Sequence, residues 1–233
     1  MKIGIMQPYL FPYLGYFQLI NFVDLFVIYD DVQYIKGGWI NRNKIKVNDR
    51  ESYFSISVKN DSTYKNINER YYSDKFLYQK EKFLKTLQFA YKKAPYFDET
   101  YNLVKCIFDY PNLKVSEFNS NSIKLICDYT NIKTNFIISS NIDNHSGLKA
   151  QERLIYINKC LNSSWYINAV GGIKLYSRIE FEKNDVQLNF IKMKEVKYNQ
   201  FGKEFINNLS IIDVLMFNSK DEIKELLNEF ELT

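Results

Sequence analysis

The fold is decided by residues 3–31, IGIMQPYLFPYLGYFQLINFVDLFVIYDD, in which two short apolar runs enclose a proline-containing loop and a helical pattern. Ile3 to Met6 is the first apolar run, Gly15 to Val23 has helical apolar spacing, and Asp24 to Tyr29 is apolar again. This order predicts a β-α-β unit. Because the second run does not alternate with polar residues, it is typical of a parallel strand covered on both faces.

The rest of the chain extends the same pattern. Two β-rich segments around a polar NDRE turn predict a hairpin, and helical patterns alternate with apolar segments further along. The predicted hairpin strands are 43–47 and 53–58, the helices 76–91, 98–109, 116–129 and 149–162, the helical connection 172–184, and the later strands 135–140, 164–169 and 186–193. We expect a Rossmann-like, mostly parallel α/β sheet flanked by helices, with a helical annex, as one domain over residues 1–233.

Composition and charge limit the kinds of partner and cofactor that we expect for this protein. The net charge of +4 comes from basic and acidic residues interleaved along the chain, which disfavours nucleic acid as the main partner. Three cysteines without a CxxC pair and a single histidine nearly exclude a Cys/His zinc site, and we predict no metal and no cofactor. Neither a basic leader before an apolar run nor an apolar run of about eighteen residues occurs. We therefore expect a cytoplasmic protein that does not span a membrane.

Polar residues follow the first two predicted strands. Gln7 and Pro8 come after the first strand, and Asp30 and Asp31 come after the second. In open parallel sheets, ligands bind outside the carboxyl ends of the strands. A ligand site is therefore expected beside these residues.

Several separated motifs resemble the WbqC-like family. The opening carries QPYLFPYLGYF (7–17) and YDDVQYIKGGWINRN (29–43). The resemblance continues at KAQERLIYINKCLNSSWYINAVGGIKLY (149–176), at YNQFGKEF (198–205) and at LSIIDVL (209–215). It spans essentially the whole chain, with the motifs in the family's order.

This resemblance implies an enzyme of bacterial surface-polysaccharide assembly, in O-antigen or capsule clusters. A glycine transferase has been suggested for such proteins, so we expect an aminoacyl or acyl transferase that forms an amide on an amino sugar, with a nucleotide-linked sugar as the expected acceptor. The acyl donor stays open between a free amino acid activated by ATP, an aminoacyl-tRNA and a carrier-protein thioester. Direct transfer is expected, because no serine or cysteine stands in a recognisable nucleophile elbow.

Three residues are candidates for acid-base catalysis. One carboxylate of Asp30 and Asp31 is predicted to accept a proton from the attacking ammonium while the other hydrogen-bonds a sugar hydroxyl. The alternative is a turn with a salt bridge to Arg42. His145, the only histidine, is a candidate general base because imidazole titrates near neutrality, and the alternative is a surface residue.

The binding candidates combine stacking planes, amides and cations. Trp39 offers a plane and Arg42 a bidentate anion binder, while Gly171 and Gly172 offer backbone N–H groups or a plain tight turn. Bracing of the proline loop is the alternative for Gln7, and a solvated position for Lys149 and Arg153. The full substrate-binding set is Gln7, Pro8, Tyr13, Gly15, Tyr16, Gln33, Trp39, Asn41, Arg42, Lys149, Arg153, Gly171, Gly172 and Tyr176.

Two other functions compete with the transferase. The first is a nucleotidyltransferase-like enzyme, whose HxGH phosphate-binding element has the counterpart Tyr13-Leu14-Gly15-Tyr16 here. Both histidine positions are tyrosines, which counts against ATP chemistry. The second is a noncatalytic carbohydrate-binding or assembly subunit.

Overall fold

A mostly parallel sheet forms the centre of the fold. The computed structural model describes residues 1–142, 147–148 and 150–233. Its strands are β1 (Lys2–Met6), β2 (Leu25–Ile28), β3 (Arg42–Val47), β4 (Arg50–Ser55), β5 (Asn135–Ile138), β6 (Trp165–Ala169), β7 (Gln187–Met193) and β8 (Phe230–Leu232). Among the described residues, six strands make one sheet in the order β5-β2-β1-β6-β7-β8, with β8 alone antiparallel, and β3 and β4 form a separate hairpin.

Helices cover the sheet and extend beyond it. They are α1 (Leu14–Phe22), α2 (Phe76–Tyr91), α3 (Phe97–Phe108), α4 (Val115–Tyr129), α5 (Ala150–Cys160), α6 (Arg178–Glu182), α7 (Ile211–Phe217) and α8 (Lys220–Leu226). The predicted Rossmann-like α/β fold with a helical annex, here α2 to α4, is confirmed. A single domain over residues 1–233 stays a prediction. No helix in the described ranges has the length and apolar character needed to cross a membrane.

The sheet is buried on both faces, as the unbroken apolar run of β2 predicted. Phe26 and Ile28 enter one hydrophobic cluster with α1 and the annex, whereas Val27 enters a second cluster with α5 and α6. All three side chains are completely buried. Since successive side chains of a strand point to opposite faces, one short strand contributes to both clusters.

The hairpin and the predicted connection at 172–184 differ from the sequence prediction. The hairpin turn is only Asn48 and Asp49, with φ of 50° and 60°, so β4 begins at Arg50 rather than at residue 53. Two residues of positive φ fit the right-handed strand twist better than a longer turn does. Segment 172–184 is not a continuous helix, because Ser177 is extended at φ −95° immediately before α6.

A buried carboxylate fixes α7 against the hairpin. Asp213 Oδ2 accepts from Tyr91 Oη at 2.7 Å, and Oδ1 accepts from Tyr198 Oη at 2.7 Å and from Gln200 Nε2 at 2.8 Å. Tyr91 Oη in turn accepts from the backbone N–H of Lys46 in β3 at 3.0 Å. The network therefore holds together three parts of the chain that are distant in sequence.

Candidate functional site

A cavity lies where the strand order reverses. The chain runs from β1 to β2 on one side, whereas β6 lies on the other side of β1, and ligands of open α/β sheets bind at such a point. A cavity of about 520 Å³ opens here at the carboxyl ends of the strands. This switch-point cavity is lined by Tyr9, Pro12, Tyr13, Gly15, Trp39, Asn43, Lys44, Val170, Ile191, Lys192, Met193 and Asn208.

Buried polar side chains hold the proline loop that forms one wall. Asn119 Nδ2 donates to the Pro8 carbonyl at 2.9 Å, Asn43 Nδ2 donates to the Phe11 carbonyl at 2.7 Å, and Ser210 Oγ donates to the same carbonyl at 2.8 Å. Phe11 has φ of 45°, a left-handed value that is costly for a residue with a side chain. These hydrogen bonds keep the loop in a conformation that it would not adopt alone.

Two tyrosines place unbonded hydroxyls at the cavity. Burial raises the pKa of Tyr9 and of Tyr13, and for Tyr9 the neighbouring Tyr13 and Tyr176 add to the effect. Both phenols therefore stay protonated at neutral pH and can donate. Neither hydroxyl has a hydrogen-bond partner among the residues that the structure describes, so both are available to a ligand.

An indole and two lysines complete the wall. The Trp39 ring stacks on Tyr53, with centroids 6.3 Å apart and planes at 21°, and Trp39 remains 40% exposed. Lys44 Nζ lies 2.6 Å from a Glu51 oxygen, and Lys192 Nζ lies 2.8 Å from a Glu231 oxygen. The cavity thus offers a flat apolar surface beside two partly neutralised cations, a combination suited to a nucleoside or sugar carrying negative charge.

Asp30 and Asp31 lie just beyond the carboxyl end of β2, but neither residue lines the switch-point cavity. Asp30 is buried; its Oδ1 accepts from Ser139 Oγ and the Ser140 N–H, both at 3.1 Å, and its Oδ2 accepts from Ser140 Oγ at 2.9 Å. The single Ser139 hydroxyl proton is shared between Asp30 and Asp31, and Asp31 also forms an ion pair with Arg153. Both carboxylates reach the same serine because they lie beyond the end of β2, where strict alternation no longer applies.

Asp30 and Asp31 therefore have partners other than Arg42, which was the partner considered from the sequence. The alternative of a salt bridge to Arg42 is wrong, since β5 neighbours β2 and the turn after β5, together with α5, brings Ser139 and Arg153 to the pair. Arg153 is buried rather than solvated. Its guanidinium lies 4.9 Å from the Tyr29 ring centroid, and burial raises the pKa of Tyr29 to about 12 although Arg153 opposes this. A catalytic role for either aspartate stays a prediction.

Three binding candidates lie at a second cavity. Gln33, Asn41 and Arg42 line a basic cavity of about 640 Å³ together with Arg70. Asn41 accepts from Tyr34 Oη at 2.8 Å and donates to the Ile56 carbonyl at 2.8 Å, which makes it a structural brace. Arg42 therefore lines a different cavity from Trp39, although the Arg42 guanidinium lies 5.6 Å from the Trp39 ring centroid.

The remaining candidates surround the switch point. Gln7 and Pro8 follow β1, with Tyr16 Oη donating to the Gln7 carbonyl at 2.9 Å from a buried position. Gly171 and Gly172 form a 3-10 turn after β6. Burial raises the pKa of Tyr176, and a hydrogen bond with Asn168 opposes this. His145 and Lys149 lie outside the described residues.

Comparison with known proteins places the chain in a family. The model of the WbqC-like protein family matches residues 7–225, which is nearly the whole chain. The chain belongs to the WbqC-like family. It is also 47% identical over 57 residues to the uncharacterized protein Rv1507c of Mycobacterium tuberculosis (strain ATCC 25618 / H37Rv), a match that covers 24% of this chain and 25% of that relative. No solved structure matches.

Several lining residues of this WbqC-like chain were not predicted from the sequence. Lys44 follows the predicted NRN motif by one position, and Lys192 lies within a predicted strand, but neither stands in a distinctive pattern. Asn43 belongs to that motif and proves to be a brace of the proline loop. Arg70, at the basic cavity, lies in a polar stretch between predicted elements and carries no local signal.

Gly15 of this WbqC-like chain has a steric reason to be glycine. A Cβ atom built at Gly15 would lie 2.5 Å from Tyr13 Cε2 and 2.9 Å from its Cζ. Gly15 lies in α1, where its φ is not positive. The glycine is therefore needed for the position of the Tyr13 ring rather than for the helix.

Gly15→Ala is expected to displace the Tyr13 ring while preserving the fold. Alanine is favoured in helices and the obstructing atoms belong to the end of a side chain, so stability should change by less than about 1 kcal/mol. Affinity for the ligand of the switch-point cavity should fall roughly tenfold, the loss of about 1.4 kcal/mol of contact. Chemical denaturation and calorimetric titration measure the two effects, and unchanged affinity would exclude the Tyr13 ring from the binding surface.

Proposed function

We propose that this chain is an aminoacyl or acyl transferase that forms an amide on a nucleotide-linked amino sugar bound in the switch-point cavity. The cavity's combination of aromatic planes, unbonded phenols and lysines carries the proposal. A volume of about 520 Å³ falls within the range of small-molecule sites. Membership of the WbqC-like family supports a role in bacterial surface-polysaccharide biosynthesis, in the cytoplasm.

The proposed reaction is a direct transfer. The neutral amine attacks the acyl carbon, a C–N bond forms, the bond from that carbon to the donor's leaving group breaks, and the amine loses a proton to solvent or to the departing group. Val170, Ile191 and Met193 make part of the wall apolar. Because an apolar surface disfavours an ammonium, it lowers the amine's pKa and increases the nucleophilic fraction.

Tyr13 and Tyr9 are the proposed donors to the oxyanion. The attacked carbonyl oxygen becomes negative in the tetrahedral intermediate, and fixed donors stabilise that charge more than they stabilise the ground state. Both phenols are held protonated by burial. Trp39 is the proposed stacking plane for the base or sugar, and Lys44 and Lys192 are proposed to face the diphosphate.

A ligand screen tests the binding half of this proposal. Thymidine- and uridine-diphosphate sugars, with and without an amino group, are added to the protein and the thermal midpoint is recorded. At a concentration of a hundred times Kd, a ligand stabilises the native state by about 2.7 kcal/mol, which raises the midpoint by a few degrees. We expect this shift with the amino-sugar nucleotide.

The controls separate the competing functions. Trp39→Ala should remove the shift, and Phe89→Ala, which truncates an exposed aromatic residue outside this cavity, should retain it. A shift with ATP or CTP alone would favour a nucleotidyltransferase. Amide formation is then screened with glycine and ATP, glycyl-tRNA or a glycyl thioester as donor, and binding without turnover for every donor would favour a noncatalytic subunit.

A further inference from the structure

The basic cavity carries an excess of positive charge. It lies between the loop after β2, the end of β4 and the segment that follows β4, and four cations line it with one carboxylate: Lys36, Arg42, Lys59, Arg70 and Asp61. Elsewhere the chain mixes the two signs of charge closely. Such a concentration inside a concave surface attracts anions.

Most of this charge is not neutralised by the protein. Asp61 pairs with Lys65 at 2.6 Å, and that hydrogen bond lowers the Asp61 pKa. Lys59 lies 3.1 Å from Asp74, but both side chains are largely exposed, so solvent weakens the pair. Within the described part of the chain, Lys36, Arg42 and Arg70 form no ion pair, although Arg70 is near enough to Asp61 to help lower the Asp61 pKa.

Arg70 is the deepest of these cations. It is only 5% exposed, it donates from Nη2 to the Ser62 carbonyl, and its guanidinium lies 5.0 Å from the Tyr34 ring centroid. Its Nε–H is buried without a hydrogen-bond partner among the described residues. A buried donor of a charged group that lacks an acceptor is costly, and Arg70 is one of the residues that line the cavity.

Arg42 converges on the same place. Its Nε donates to the Gly38 carbonyl at 3.1 Å, and its guanidinium lies 5.6 Å from both the Trp39 and the Tyr53 ring centroids. The ring contacts and the hydrogen bond restrict its position while leaving the terminal nitrogens for a ligand. Arg42 and Arg70 both lower the pKa of Tyr34 against the effect of burial, which places both charges near one phenol.

We propose that the basic cavity is a second ligand site that binds the phosphate group of a small phosphorylated molecule through Arg42 and Arg70, with Lys36 at its mouth. Guanidinium groups bind phosphate oxygens in pairs and with defined geometry. The cations line one cavity of about 640 Å³ rather than a long stripe, which favours a compact ligand over a nucleic acid strand. This site is separate from the switch-point cavity and does not depend on the proposed transferase.

Titration with inorganic phosphate and pyrophosphate tests the site. Calorimetry at about 150 mM salt should detect pyrophosphate binding, and the arginine Nε–H signals in a ¹H–¹⁵N spectrum should shift for Arg42 and Arg70. Arg42→Gln should weaken pyrophosphate binding roughly tenfold or more, the effect of one charge-assisted contact. AMP and UMP as further ligands distinguish a nucleotide from a simple phosphate ester.

Matched variants show whether pyrophosphate binds at the basic cavity or elsewhere on the protein. Lys93→Gln removes an exposed cation outside both cavities and should leave affinity unchanged. Lys44→Gln alters the switch-point cavity and should leave the phosphate-induced shifts of the Arg42 and Arg70 Nε–H signals unchanged. The assignment is overturned if Lys93→Gln weakens binding as much as Arg42→Gln does, if only Lys44→Gln weakens it, or if neither anion binds. The assignment would also be overturned if the protein bound a single-stranded RNA oligomer but did not bind pyrophosphate. Arg70→Lys is a secondary variant, because replacing a buried guanidinium also affects folding.

Discussion

Asp213→Ala is expected to lower the free energy of unfolding by about 3–5 kcal/mol. The substitution leaves the hydroxyls of Tyr91 and Tyr198 without an acceptor and removes one acceptor from Gln200. Asp213 and Tyr91 are almost completely buried, so water does not replace the lost hydrogen bonds. Urea denaturation measures the change. Asp128→Ala, at an exposed position of α4, is the control and should change stability by less than about 0.5 kcal/mol.

The stabilisation that Asp213 gives the folded state through its proton should decrease as pH rises. Burial raises the Asp213 pKa above its ordinary value of 3.8, although its three hydrogen bonds oppose the effect. The folded state then holds this proton more tightly than the unfolded state, so the stabilisation that comes from proton binding at Asp213 is full below about 3.8 and is lost as pH rises through the folded pKa. The hydrogen bonds that Asp213 accepts are a separate contribution. The stability difference between wild type and Asp213→Asn should therefore shrink as pH increases across that window. A difference that grew with pH would contradict a raised pKa.

Tyr13→Phe is expected to slow amide formation by about 10²–10³-fold, the usual effect of losing one oxyanion donor. Stability should be nearly unchanged, because the Tyr13 hydroxyl has no partner within the described residues. Substrate affinity should change little, since the donor acts mainly on charge that develops in the transition state. Single-turnover rates with the active donor, together with calorimetric affinity, separate these quantities.

Tyr16→Phe is the matched control. Its hydroxyl is buried and donates to the Gln7 carbonyl, so the variant should lose about 1 kcal/mol of stability while retaining the transfer rate. Equal rates for Tyr13→Phe and wild type would remove Tyr13 from the mechanism. A rate loss confined to Tyr16→Phe would show instead that the shape of the proline loop, and not the phenol of Tyr13, limits the reaction.

The architecture was predictable because its signals are local. The apolar runs of β1 and β2 and the helical spacing of α1 determine a β-α-β unit without reference to distant residues. The same reasoning predicted a ligand site at the strand ends; Tyr13 and Gly15 line a cavity there, and its role as a ligand site stays a prediction. Element boundaries were less certain, since the Asn48-Asp49 turn depends on left-handed backbone angles that many polar turns do not require.

The grouping of side chains was not predictable from the same signals. Trp39 and Arg42 are three positions apart and the Arg42 guanidinium lies 5.6 Å from the Trp39 ring centroid, yet the two residues line different cavities. Asp31 and Arg153 pair across 122 residues only because β5 and α5 lie beside β2. Such pairings depend on strand order, which a single sequence does not specify.

The bracing of the proline loop also constrains when the binding site can form. Its supports, Asn43, Asn119 and Ser210, are widely separated in sequence, and closing such long loops costs entropy before any contact is gained. During synthesis, β1 and its loop leave the ribosome well before their last support, which follows after nearly two hundred further residues. Docking of the segment at Ser210 completes the core and the support of the proline loop together, so intermediates that have not yet docked it should be unable to bind a ligand in the switch-point cavity.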